Sequence, residues 1–235
     1  MKYFILMSSL AAIACAGFIA GEPCHEKNTA ILQPMRPIWP INHVHCANMK
    51  SMGNTSWYTF INRLHNVTSV FADDMLLTNI PYQTIKMLPN LEILDVSNNK
   101  IRKIHRKTFI HNKNFQTLLL SHNNVILPRK TPFLTSQSMI NLYLSNNNIK
   151  RVPPIAFAEL PSIRALFLDS NIIVKLKPTV FTPLKNLRYL HLGNNRLIVI
   201  PPKNSLPTTL LTYITKGNIK RSLSKKRKET NKPIK

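Results

Sequence analysis

LYLSNNNIK, residues 142–150, alternates leucine with other residues and then runs into three consecutive asparagines. Asparagine is a weak strand former, and burying its amide without partners is costly. Yet the same arrangement returns as LDVSNNKI (94–101), LLLSHNNV (118–125), LFLDSNII (166–173) and LHLGNNRL (190–197). A pattern restated at constant spacing signals a repeat architecture, and it decides the fold before any local propensity is weighed. With Val67, Leu91, Phe115, Met139, Ile163 and Leu187 as first positions, each unit begins 24 residues after the last, without insertion or deletion.

The remaining positions follow from this register. Fourth positions are Val70, Leu94, Leu118, Leu142, Leu166 and Leu190; sixth positions are Ala72, Val96, Leu120, Leu144, Leu168 and Leu192. This alternation predicts a short strand with one face turned inward. Eleventh positions are all aliphatic, from Leu77 to Leu197, and the nineteenth is Ile85, Phe109, Phe133, Phe157 and Phe181. One coil cannot bury its own apolar side, but stacked coils share a continuous core, where each large side chain contributes roughly 1.5–3 kcal/mol. The ninth position is Met75 and then Asn99, Asn123, Asn147, Asn171 and Asn195. After the strand the chain turns inward with unpaired backbone groups, and a side-chain amide can both donate to and accept from them. The five amides are therefore expected to form a buried ladder along the stack. The eighth-position Asn98, Asn146 and Asn194 are expected instead to be solvated turn residues.

These units resemble the leucine-rich repeat family, with its L-x-x-L-x-L-x-x-N-x-L core followed by I/V-P and a phenylalanine. Ile80-Pro81, Val152-Pro153 and Ile200-Pro201 supply the proline step of the typical extracellular subclass. The resemblance implies an α/β solenoid, a right-handed superhelix with a short parallel sheet on its concave side. The stretch 67–104 is similar to secreted insect leucine-rich immune proteins and to Toll-like ectodomains. It lacks the C-terminal cysteines and coiled coil of the former. Those resemblances imply protein recognition, with innate immunity as its setting.

The ends of the chain read differently from the middle. Residues 1–21 carry a lysine, an apolar stretch and then small residues, the pattern of a secretory signal; a membrane anchor is the alternative. Residues 22–66 read as an N-terminal cap, 67–223 as six regular repeats and one degenerate repeat, and 224–235 as a basic, disordered tail. The degenerate repeat lays Leu210, Tyr213, Thr215 and Asn218 on positions one, four, six and nine. In an exported chain Cys24 and Cys46 read most simply as one disulfide. A zinc site shared with His25, His43 and His45 is the alternative, although the spacing fits no familiar zinc pattern. Asn54 and Asn66 open glycosylation sequons.

Lys and Arg number 32 against 9 acids, a formal net charge of +23, so the chain should adhere to polyanions. The cations crowd the positions after the strand, on the edge and convex side, where a sulfated glycan is a candidate ligand. Asp73, Asp74, Glu92, Asp95 and Asp169 fall on concave positions, which disfavours nucleic acid in the concavity. Strand positions that point away from the core line that face. Phe71, Asp95, Leu119, Tyr143, Phe167 and His191, with Tyr189 beside them, are the candidate contacts for an extracellular protein partner, unless neighbouring side chains or the cap cover them. No phosphate-cradling loop, zincin motif or nucleophile elbow is present, so the reading is a binding module without catalysis, cofactor, metal or membrane span. A soluble Toll-like decoy and a matrix adhesion protein are the runner-up functions.

Overall fold

A computed structural model describes residues 43–45 and 67–218. The signal segment, the tail, Cys24, Cys46, Asn54 and Asn66 lie outside the described residues. Among those described, the strands are β1 (His43–His45), β2 (Ser69–Phe71), β3 (Ile93–Asp95), β4 (Thr117–Leu119), β5 (Asn141–Tyr143), β6 (Ala165–Phe167), β7 (Tyr189–His191) and β8 (Thr212–Ile214). They form one parallel sheet whose spatial order is their order in the chain. From β2 to β7 like positions pair with like, as in Leu118 with Leu142 and Leu142 with Leu166. Parallel strands need a long return connection, and here the rest of each coil supplies it. The last step is shorter, pairing Leu190 with Tyr213, so the degenerate repeat stacks on the array with one residue fewer.

Each coil is tied to the next by the same backbone bonds. The position-six N–H donates to the position-five carbonyl one coil later, from Ala72 to Asp95 at 2.7 Å through Leu192 to Ile214 at 2.8 Å. Leu118, Leu142, Leu166 and Leu190 are completely buried beneath these strands. At the back of the core Phe109, Phe133, Phe157 and Phe181 are equally enclosed, and Phe109 stacks on Phe115 with ring centroids 4.0 Å apart. The return segments hold little regular structure. A single turn of helix, α1 (Tyr82–Lys86), follows Pro81, and 3-10 turns occupy Pro178–Phe181 and Lys203–Ser205. Proline suits the start of such turns because its missing N–H would have no partner there. No helix among the described residues is long and apolar enough to cross a membrane.

The amides sit inside the stack. Asn99, Asn123, Asn147, Asn171 and Asn195 are all buried. In each, Oδ1 accepts from the position-eleven N–H of the preceding coil, from Leu77 at 2.8 Å to Ile173 at 3.1 Å. Each Nδ2 donates to the position-six carbonyl of that same preceding coil, at 2.8–2.9 Å. Asn218 repeats both bonds, to Leu197 N–H and Leu192 carbonyl, so the degenerate coil continues the ladder.

What turns the amide inward is the residue before it. Asp74, Asn98, His122, Asn146, Ser170 and Asn194 all take the left-handed conformation, with φ of 50–56°. Asparagine tolerates this region better than other non-glycine residues, so the eighth-position asparagines serve the bend. The eighth-position N–H groups donate to the position-seven carbonyl of the next coil, as in His122 to Ser145 at 3.0 Å. In the last coil Gly217 takes this place, with φ of 85°.

Candidate functional site

Strand positions three and five point away from the core and form the concave face. On β4 to β7 these positions are half-buried, so their side chains present an open surface. On β2 and β3 they are not. Phe71 is 6% exposed and Asp95 is 4% exposed, with Ser69 and Ile93 equally enclosed. The expected contact row is therefore corrected at its N-terminal end: Phe71 and Asp95 are packed away from solvent. The carboxylate of Asp95 is also committed, accepting from Ser97 N–H at 2.9 Å. The open row consists of Leu119, Tyr143, Phe167, Tyr189 and His191.

Four of these side chains form one ring cluster. Tyr143 and Phe167 lie one above the other on adjacent strands, with centroids 4.3 Å apart and planes 9° from parallel. Tyr189 tilts against Phe167 at 4.8 Å, and His191 meets Phe167 edge-on at 6.3 Å. The 24-residue register causes this contact, because identical positions on neighbouring strands stand about 5 Å apart, the spacing at which rings interact favourably. Burial pushes the Tyr143 phenol above its ordinary range, and the charge on Tyr189 adds to the shift. The Tyr143 phenol therefore stays neutral at physiological pH, and it and Tyr189 present hydroxyls beside apolar ring surface.

Asp169 anchors the cluster at one end. Its Oδ1 accepts from Ser145 Oγ at 2.6 Å and lies 2.9 Å from His191 Nδ1. Ser170 Oγ reaches its other oxygen at 3.3 Å. The aspartate stands between the serine and the histidine, so the three do not make a relay from nucleophile to base. Their effect is positional: they hold the His191 ring against the aromatic row. His122, by contrast, pairs with Asn146 Nδ2 at 3.3 Å. Sequence reading assigned Asp169 to the concave acids but did not join it to His191.

Three segments, 65–125, 129–173 and 165–215, match the family model described as leucine rich repeat. The chain belongs to the leucine-rich repeat family. No curated protein sequence matches it significantly. Among solved structures, the leucine-rich repeat array is similar to a chain from an octameric complex of latrophilin 3, Unc5D and FLRT2, with 24% identity and a TM-score of 0.58. That match covers 66% of this chain and 47% of the other. It is also similar to a chain of a TLR13–ssRNA13 complex, at 24% identity and a TM-score of 0.57, covering 67% of this chain and 23% of that one. The leucine-rich repeat array thus spans less than half the length of either neighbour. At this identity the likeness concerns the fold. Arrays of this family are typically binding scaffolds, and their fold points to protein–protein recognition.

Proposed function

We propose that this protein is an exported recognition module that holds a protein partner on its concave face. The observation that carries the reading is the half-open ring cluster of Tyr143, Phe167, Tyr189 and His191, braced by Asp169. Rigid aromatic rings lose little conformational freedom on binding and dominate hot spots. Leu119 extends the row towards the covered part of the sheet. The setting proposed is innate recognition outside the cell. It is supported by the leader-like residues 1–21, by sequons at Asn54 and Asn66, and by the resemblance of residues 67–104 to secreted immune proteins. Outside the cell Cys24 and Cys46 would be oxidised to one disulfide.

The test is affinity capture from native extracellular fluid, with partners identified by mass spectrometry. The double substitution Tyr143→Ser and Phe167→Ser should abolish capture and leave the melting curve intact. A control at Val199, an apolar residue 72% exposed on another face, should capture normally as Val199→Ser. Undiminished capture by the double variant would refute the concave site.

A further inference from the structure

A second surface of this array is unlike the concave face in every respect. Beyond the amide ladder, on the flank of coils two to four, lies a groove of about 600 Å³. Arg102, Arg129, Lys150 and Arg151 line it, together with the amides of Asn124 and Asn148. All four cations are exposed. The groove has no carboxylate in its lining. Among the described residues the ion pairs are Arg106–Glu159 and His191–Asp169, and neither involves these four.

The register explains how the charges meet. Arg102, Ile126 and Lys150 occupy the twelfth position of successive coils, and Leu127, Arg151 and Lys175 the thirteenth. Arg151 and Lys175 are bridged through their backbones, so the basic row continues into the fifth coil. Lys103 holds the thirteenth position in the second coil, beside Arg102. The result is a strip of cations running along the stack over a rigid aliphatic floor, in which Val125 and Ile149 are buried. A low-dielectric wall beneath like charges strengthens their field, and a linear polyanion lying along the stack would neutralise several coils at once.

We propose that this groove binds a sulfated polysaccharide. Guanidinium forks match the oxygen geometry of sulfate esters. Ile126, 48% exposed between Arg102 and Lys150, offers an apolar step to the C–H face of a sugar ring. Asn124 and Asn148 supply amides for hydroxyl or N-acyl groups. A nucleic acid fits less well, because no aromatic side chain lines the groove and bases would have nothing to stack on. The flank also has no helix or ribbon to enter a duplex groove. The proposal is independent of the concave site, which lies on another face.

The experiment measures binding of the full chain to a heparin oligosaccharide at 0.15 M salt. The triple variant Arg129→Gln, Lys150→Gln, Arg151→Gln is compared with a charge-matched triple, Lys113→Gln, Lys185→Gln, Lys203→Gln, at exposed lysines outside the groove. A contact pair in water is worth about fivefold. The groove triple should therefore weaken binding roughly 100-fold and the control less than about threefold, with both melting as wild type. The chemically desulfated oligosaccharide should not bind. Should the groove triple be misfolded, Arg102→Gln with Arg129→Gln should still weaken binding roughly 25-fold by the same arithmetic. Equal losses in the two triples would overturn the site, leaving only diffuse charge. Groove-dependent binding of single-stranded RNA or phosphatidylserine vesicles as tight as that of heparin would overturn the ligand class. The Tyr143→Ser, Phe167→Ser variant should bind heparin normally.

Discussion

Replacing a ladder asparagine by leucine should destabilise the array by an amount that depends on which coil is cut. Asn171 and Asn147 have the same residue type, burial and position. At Asn171, Oδ1 is the acceptor for both Asn147 N–H at 3.0 Å and Ile149 N–H at 2.9 Å, while Nδ2 serves the Leu144 carbonyl at 2.9 Å. None of these three groups has another partner in the turn. The remaining acceptors are insured, since Leu168 carbonyl also receives Asn195 Nδ2 and Asp169 carbonyl also receives Asn146 N–H. At Asn147 only Val125 N–H is orphaned. Leu120 carbonyl keeps Asn123 Nδ2 and Ser145 carbonyl keeps His122 N–H. With about 1–3 kcal/mol for each buried group left unpaired, and some relaxation, Asn171→Leu should cost roughly 3–6 kcal/mol and Asn147→Leu roughly 1–3 kcal/mol. Equilibrium urea unfolding followed by far-ultraviolet circular dichroism resolves the gap as about 1 M in midpoint. Hydrogen exchange then shows which amides have lost protection. It should be those of residues 147 and 149 in the first variant and that of residue 125 in the second. Equal destabilisation by the two variants, or none by either, would refute the idea that the ladder acts by satisfying specific backbone groups.

Other expectations rest on other parts of the molecule. Tyr213, whose hydroxyl donates to Pro201 carbonyl at 2.9 Å, has its phenol pushed up to about 12 by burial. The folded state keeps that proton from about pH 10 to 12 while the unfolded state releases it. Stability should fall across that window, and Tyr213→Phe should flatten the fall in an alkaline unfolding series. Phe157→Ala empties a fully enclosed site in the ring spine and should cost about 3–5 kcal/mol in chemical denaturation. A Cβ at Gly193 would lie 2.9 Å from Lys216 carbonyl and 3.0 Å from His191 Nε2. Gly193→Ala should therefore lower stability by about 1–3 kcal/mol, and a histidine proton spectrum should show the His191 ring displaced.

Much of this molecule was determined by its sequence alone. The repeat makes the inward positions legible, because a strand has a period of two and each coil must hide its apolar side against the next. The ninth-position asparagines follow from the same logic, since an amide is the side chain that can both donate and accept where the chain leaves the sheet. Asn218 could be placed in that series despite the shortened coil. The buried amide of Asn112 was not foreseen, although its Nδ2 donates to Ile85 and Leu88 carbonyls at 2.9 and 2.6 Å at the back of the core. It occurs without a repeated pattern, so nothing in the sequence marks it.

Tertiary structure decided which outward residues are open. Phe71 and Tyr143 occupy the same strand position, yet one is enclosed and the other half-exposed. A repeat specifies direction relative to the core, whereas exposure depends on what else covers the face. The Ser145–Asp169–His191 link and the meeting of Arg102, Arg129, Lys150 and Arg151 in one groove are of the same kind. They join residues of different coils through side-chain conformation, which spacing along the chain does not record.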